Sequence, residues 1–334
     1  MGTPVDPTPE LVRTALATAS DAPGYPRTAG TPAFREAAAG WLRRRHGVTG
    51  LDPASEPASV LPIIGSKELV ALLPLLLRVG PGDRVVLPEL AYPTYEVGVR
   101  LAGAEPVRSD GLVAAGPGRA RMVWVNSPAN PTGRVLPAAH LRKVVDWARE
   151  RGAVVVSDEC YLDFGWEGEP VSVLHPSVCG VDHTGVLAVQ SLSKRSNLAG
   201  YRAGFVAGDP RLVAGLLEVR KHAGLIVPAP VLAAATVAYG DDAHVADQRG
   251  RYAARRAALR PALAAAGFAV EHSEAGLYLW ATRGEDCWAS VDRLAGLGIL
   301  VAPGSFYGPA GSRHVRVALT ATDERVAAAV TRLS

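Results

Sequence analysis

The sequence predicts an α/β protein: a mostly parallel central sheet flanked by helices, joined to a smaller α+β domain. Two patterns and one bulk property point there. Between about residues 60 and 208, short β-branched runs alternate with longer helical patterns, which is the signature of a parallel sheet covered by helices. From Asp241 the pattern changes to a long Arg/Ala-rich helix and then three spaced strands. The chain has 334 residues, 48% hydrophobic and 20% charged, enough to bury a full core and outside the disordered and fibrous classes.

The first region holds strand candidates at 60–64, 84–87, 122–126, 153–158, 186–190 and 203–207. Helices between them include 67–77, 95–101 and 138–151, the last closed by Gly152. In the second region the long helix reaches Ala266 and ends at Gly267, and strands follow at 269–272, 277–282 and 315–319. The uncharged stretch 223–240 has the length of a membrane span, but Pro228 and Pro230 split it, so it reads as a loop followed by a buried helix. The first thirty or so residues hold a short helix and a Pro/Gly-rich stretch at 22–32. The expected division is an N-terminal arm belonging to the small domain at 1–35, a large ligand-binding domain at 36–238, and a small C-terminal domain at 239–334.

The formal net charge is +3 and the basic residues are scattered, so no stripe suits nucleic acid or anionic lipid. The expected partner is a small molecule. Cys160, Cys179 and Cys287 have neither metal-ligand spacing nor the even number of a disulfide framework, which suits the cytoplasm, and no metal site is expected. Met1 to Asp6 runs straight into Pro7 and Pro9, without a charged and then apolar leader. The eight histidines form no HxxxH or triad-like set, so none is assigned chemistry. Only Lys67, Lys143, Lys194 and Lys221 are lysines among the 35 basic residues, which narrows the search for a catalytic amine.

In open α/β sheets, ligand-binding residues gather on loops at the carboxyl ends of the strands. Four such loops carry polar residues. Gly65-Ser66-Lys67-Glu68 opens a helix, which suits either a phosphate at a helix N-terminus or a capping turn. The turn NSPANPTG from Asn126 to Gly133 is rigid enough to aim an Asn side chain. An apolar strand runs directly into Asp158-Glu159-Cys160-Tyr161. Ser191-Leu192-Ser193-Lys194 follows another, with Arg202 in a glycine-flanked turn eight residues on. Lys143 lies mid-helix beside Arg142, Lys67 opens a helix and Lys221 ends one, so only Lys194 follows a buried strand beside two serines.

The ordered set GSKE, AYPTYE, NSPANPTG, SDECY, SLSK and GYRAG resembles fold-type I pyridoxal-phosphate (PLP) aminotransferases of the class I/II group, over essentially the whole chain. Segments such as YPRTAGTP, GSKELVALLP, PELAYPTYEVG and SLSKRSNLAGYRAGF look most like the actinobacterial succinyldiaminopimelate aminotransferases. The resemblance implies PLP as cofactor and Lys194 as its Schiff-base residue, later the base and acid that moves the substrate proton. It implies Asp158 at the pyridine nitrogen, Asn130 and Tyr161 at the phenolic oxygen, and Tyr92 stacked on the ring. Gly65, Ser66, Lys67, Ser191 and Arg202 would bind the phosphate. Arg316, Gly30 and Asn130 would meet the substrate, Arg316 as the clamp on its α-carboxylate. Tyr25 would reach the phosphate of a neighbouring subunit, implying a homodimer.

The implied reaction moves an amino group between glutamate and N-succinyl-2-amino-6-oxopimelate, in lysine and diaminopimelate biosynthesis. The alternatives are a histidinol-phosphate, aromatic or aspartate aminotransferase, or a PLP-dependent C–S lyase. For a long anionic substrate, Arg27 or Arg195 is the expected extra cation, while Tyr278, Trp280, Phe306 and Tyr307 are candidate pocket aromatics. Tyr201 and Cys160 read as packing residues. A PLP-binding regulator comes fused to a DNA-binding domain, and nothing before Tyr25 is long enough for a helix-turn-helix.

Overall fold

The computed structural model describes residues 2–56, 59–111 and 120–334. Seven strands form the large sheet: β1 (Val60–Ile63), β2 (Arg84–Leu87), β3 (Glu105–Arg108), β4 (Ala120–Asn126), β5 (Val154–Asp158), β6 (Val186–Ser191) and β7 (Gly204–Gly208). Their order is β1-β7-β6-β5-β4-β2-β3. All run parallel except β7, which is antiparallel to both neighbours. β7 pairs so closely with β6 that a Cβ on Gly204 would lie 2.3 Å from the Gln190 carbonyl oxygen. Only glycine fits there.

The central strands are buried on both faces because helices cover both, which is why they read as unbroken apolar runs. One core cluster joins Val123, Val155 and Phe205 to the helices Pro32–His46 and Ala229–Gly240. The opposite face packs Val85, Trp124 and Val156 on Ser66–Leu76 and Pro93–Leu101. Pro32–His46 was not evident in the sequence. It is capped by Thr31 Oγ1, which accepts from the Phe34 amide at 3.1 Å. Phe34, Ala38, Trp41 and Leu42 line its buried face.

A second sheet, β8 (Ala269–Glu271), β9 (Tyr278–Thr282), β10 (Ala302–Pro303) and β11 (Val315–Ala318), has the order β10-β11-β9-β8 and is antiparallel throughout. The long helix Ala243–Ala265 and the helix Asp323–Leu333 pack on it around Phe268, Leu277 and Leu279. The N-terminal arm divides between the two bodies. Asp6 is gripped by Arg255 and Gln248 of the long helix, whereas Glu10–Thr18 packs against Ala229–Gly240 and sends Val12 into the large core. No helix among the described residues is long and apolar enough to cross a membrane.

Candidate active site

β5 lies between β4 and β6, and the chain leaves the carboxyl ends of these three strands and of β1 on one side of the sheet. The four polar loops therefore converge. Asp158, the last residue of β5, is 7% exposed. Its carboxylate accepts from the Tyr95 hydroxyl at 2.8 Å and from the Cys160 amide at 3.2 Å. Burial pushes this carboxyl above its usual range, and the two hydrogen bonds only partly offset that. A cation facing Asp158 would restore its charge.

Asn126, at the end of β4, spans two loops. Its Nδ2 donates to the Asp158 carbonyl at 2.9 Å, and its Oδ1 accepts from the Asn130 amide at 2.8 Å. The Asn130 side chain is thereby aimed, and its Oδ1 accepts from Arg316 Nη1 at 2.8 Å. Arg316 comes from β11 in the other sheet. Its guanidinium sits 3.9 Å over the Tyr278 ring and 5.1 Å from the Tyr307 ring, and its Nε is buried without a partner. Tyr278 shares a hydrogen bond of 3.1 Å with the Tyr161 hydroxyl, and burial pushes the Tyr161 phenol up.

Gly65, Ser66 and Lys67 begin the helix Ser66–Leu76, whose first amides lack intrahelical acceptors. Gly65 has φ of 71°, and a Cβ there would lie 2.3 Å from Arg202 Nη2. The arginine thus lies directly against the helix start. Cys160 Sγ donates to Ser66 Oγ at 3.4 Å, which links this anionic-ligand cup to the Asp158 loop. Ser191 is buried, and its hydroxyl oxygen accepts from the Ser193 amide at 3.1 Å. Lys194 is half-buried on the short helix Leu192–Arg195 and donates to the Gly2 carbonyl. Tyr92 is half-buried, edge-on to Tyr95, with Lys67 Nζ 6.0 Å from its ring centroid.

The donor set suits PLP. Helix amides and a guanidinium match a phosphate. A buried carboxylate matches a protonated ring nitrogen, an amide and a phenol match the ring oxygen, and the half-buried Lys194 supplies an amine near enough to act electrostatically on Cys160.

Two expected residues stand apart. Tyr25 is fully exposed and touches none of this set. Gly30 is buried beside Pro62 of β1, with its carbonyl taken by Arg35 Nη1 at 3.0 Å, and no contact joins it to Arg316 or Asn130. Arg195 does not provide the extra cation. It is 3% exposed, with Nε on Asp163 Oδ2 at 2.7 Å and Nη1 on the Ala238 carbonyl at 2.9 Å. Tyr201 is 39% exposed rather than packed, and Phe306 lies outside, edge-on to Trp288, while Tyr307 and Trp280 are buried.

Tyr95 and Asn126 went unrecognised in the sequence. Tyr95 stands one helical turn beyond Tyr92, and Asn126 ends an apolar strand as Asp158 does, so position alone marked both. Among the described residues no group of three His, Cys, Asp or Glu side chains is placed to hold a metal ion.

A model of the family described as aminotransferase class I and II matches residues 2–333. The chain belongs to that family of PLP-dependent enzymes. A probable aminotransferase of Mycobacterium tuberculosis, Rv1178, is 65% identical over all of this chain and 79% of its own length. The 4-dedimethylamino-4-oxo-anhydrotetracycline transaminase OxyQ of Streptomyces rimosus is 61% identical over all of this chain and 92% of its own length. A solved structure from Thermus thermophilus, titled as a probable N-succinyldiaminopimelate aminotransferase, superimposes with a TM-score of 0.87 at 33% identity, covering 100% of this chain and 92% of that one.

Proposed function

We propose that this aminotransferase moves an amino group between glutamate and N-succinyl-2-amino-6-oxopimelate, using Lys194 as the residue that carries the cofactor and shuttles the substrate proton. The observation that carries the site reading is Arg316, which hydrogen-bonds Asn130 Oδ1 while its buried Nε remains free. A guanidinium so held would present its remaining edge to an α-carboxylate. Bound PLP supplies the electron sink. Asp158, held by Tyr95, would keep the ring nitrogen protonated, and Asn130 and Tyr161 would donate to the ring oxygen. Gly65, Ser66, Lys67, Ser191 and Arg202 would hold the phosphate and Tyr92 would cover the ring, whereas Gly30, packed on Pro62 and bonded to Arg35, is left out of the substrate set. Residues 36–238 would form the cofactor-binding domain and 239–334 the smaller one. In the cytoplasmic homodimer we infer, the exposed Tyr25 reaches the partner's phosphate cup.

Likeness to the Thermus protein supports the succinylated acceptor. A second reading, a polycyclic ketone acceptor, is favoured by the greater identity to OxyQ and by the aromatic surround of Arg316, formed by Tyr278 and Tyr307. Glutamate formation from 2-oxoglutarate decides between them, with N-succinyl-diaminopimelate, histidinol phosphate, aspartate, phenylalanine and an amino-anhydrotetracycline as competing donors. Preference for the first is expected. Preference for another donor sinks the acceptor assignment, and no transfer from any of them sinks the reading of the site.

A further inference from the structure

Lys194 is the third residue of a helix of only four, Leu192–Arg195. So short a helix cannot hold its own direction through internal hydrogen bonds. The aim of the amine therefore depends on what grips the residues that follow. Arg195 is tied to one part of the molecule, and Ser196 and Asn197 to another, the helix Ala243–Ala265. Arg195 is anchored to Asp163 and the Ala238 carbonyl, with Trp41 and Tyr239 rings 5.0 and 5.2 Å from its guanidinium. Ser196, fully buried, pairs its Oγ with His244 Nε2 at 2.8 Å, and His244 Nδ1 pairs with Asp241 Oδ2 at 2.6 Å. Asn197 takes a left-handed backbone with φ of 53° and donates to Gln248 Oε1 at 2.9 Å and to the Pro7 carbonyl at 3.2 Å.

The sequence showed no triad-like histidine because Ser196 meets the local pair Asp241 and His244 only in the fold. Asp241 also accepts from the His244 amide at 2.9 Å, so ring and backbone of His244 are fixed by one carboxylate. An ionised carboxylate only accepts, so Nδ1 carries the ring proton and Nε2 accepts from the Ser196 hydroxyl. Burial lowers the proton affinity of this imidazole, in keeping with the neutral form. Nucleophilic chemistry is excluded here because Ser196 has no exposed surface for a substrate to approach. A tether remains.

We propose that Ser196, His244 and Asp241 form a relay, buried at its Ser196 end, that positions Lys194, with His244 as the positioning residue. His244 and Gln248 lie one turn apart on the helix Ala243–Ala265, which packs on β8 and β9 of the sheet that carries Arg316. The relay thus fixes the loop bearing the amine to the body bearing the carboxylate clamp. The inference rests on Lys194 being the residue that carries the cofactor.

The test uses holoenzyme variants Ser196→Ala, His244→Phe, their double variant, and His244→Gln, which retains an acceptor long enough to reach Ser196. Rates are read from a single turnover with glutamate, alongside KM and the visible spectrum of bound cofactor. Each single variant is expected to slow the turnover about tenfold, as a small misplacement of a reacting group does. KM should stay unchanged and the spectrum should shift. The double variant should fall no lower than either single, and His244→Gln should recover most of the rate. Asp241→Ala, whose side chain is about one-third exposed, perturbs the relay from its surface end and should show the same spectral shift if a core variant does not fold. Wild-type rates and spectra in the single and Asp241 variants overturn the relay, as do single effects that multiply in the double. Borohydride reduction of each variant separates the two readings: cofactor absent from Lys194 in the wild type overturns the site and the relay together, whereas cofactor fixed on Lys194 with wild-type turnover in the variants overturns the relay alone.

Discussion

Replacing Arg316 by Lys keeps a charge but removes the fork, and replacing it by Gln removes both. In the wild type Nη1 is engaged by Asn130 at 2.8 Å, the guanidinium lies against Tyr278, and Nε is buried and unpartnered. A substrate carboxylate that reaches the Nε–Nη2 edge would gain two charge-assisted hydrogen bonds, each contributing about 1.5–3 kcal/mol. Losing both costs roughly 3–6 kcal/mol, or about two to four powers of ten in kcat/KM for the Gln variant. The Lys variant should lose about one to two powers of ten, since an ammonium makes one of the bonds without the planar match. The assay is steady-state transamination of an amino acid and of the corresponding amine lacking the carboxylate. Only the amino acid should be penalised. A Lys variant within threefold of wild type, or an amine that suffers equally, refutes the assignment of Arg316 to the carboxylate.

Three further outcomes follow from the site and its support. Tyr95→Phe removes the 2.8 Å hydrogen bond to Asp158 without changing the packed shape, so equilibrium dialysis should show cofactor binding weakened roughly tenfold, and unchanged affinity would contradict it. Gly65→Ala forces a Cβ to within 2.3 Å of Arg202 Nη2 at a residue with φ of 71°, so the protein should lose PLP on gel filtration while the wild type keeps it. Glu159 is buried, held by the Val173 amide and the Ser172 and Gln190 side chains, and burial pushes it up to about 7. The unfolded chain releases this proton near 4.5, so between 4.5 and about 7 the folded state binds more protons and its stability falls as pH rises. The slope amounts to about 3 kcal/mol across that window, and Glu159→Gln should abolish it in urea midpoints measured at several pH values.

The four strand-end loops were legible because buried parallel strands are unbroken apolar runs, so polar residues directly after them stand out. β3 was not, because Glu105 and Pro106 of this edge strand give it neither an apolar run nor an alternation. The reversed direction of β7 is a property of pairing, and the strand itself carries no mark of it beyond Gly204. Arg195 looked available in the sequence as a neighbour of Lys194. Its burial is set by Asp163, Trp41 and Tyr239, which reach it from three other elements. His244 was invisible for the same reason, since Ser196 approaches it from the far end of the loop after β6.

Reduction of the PLP-loaded enzyme with borohydride, followed by proteolysis and mass mapping of the pyridoxyl group, tests the role of Lys194 directly. A single modified peptide containing Lys194 is expected, and its loss in Lys194→Ala. Modification at Lys67, Lys143 or Lys221 instead, or persistence at full yield in Lys194→Ala, would contradict that role.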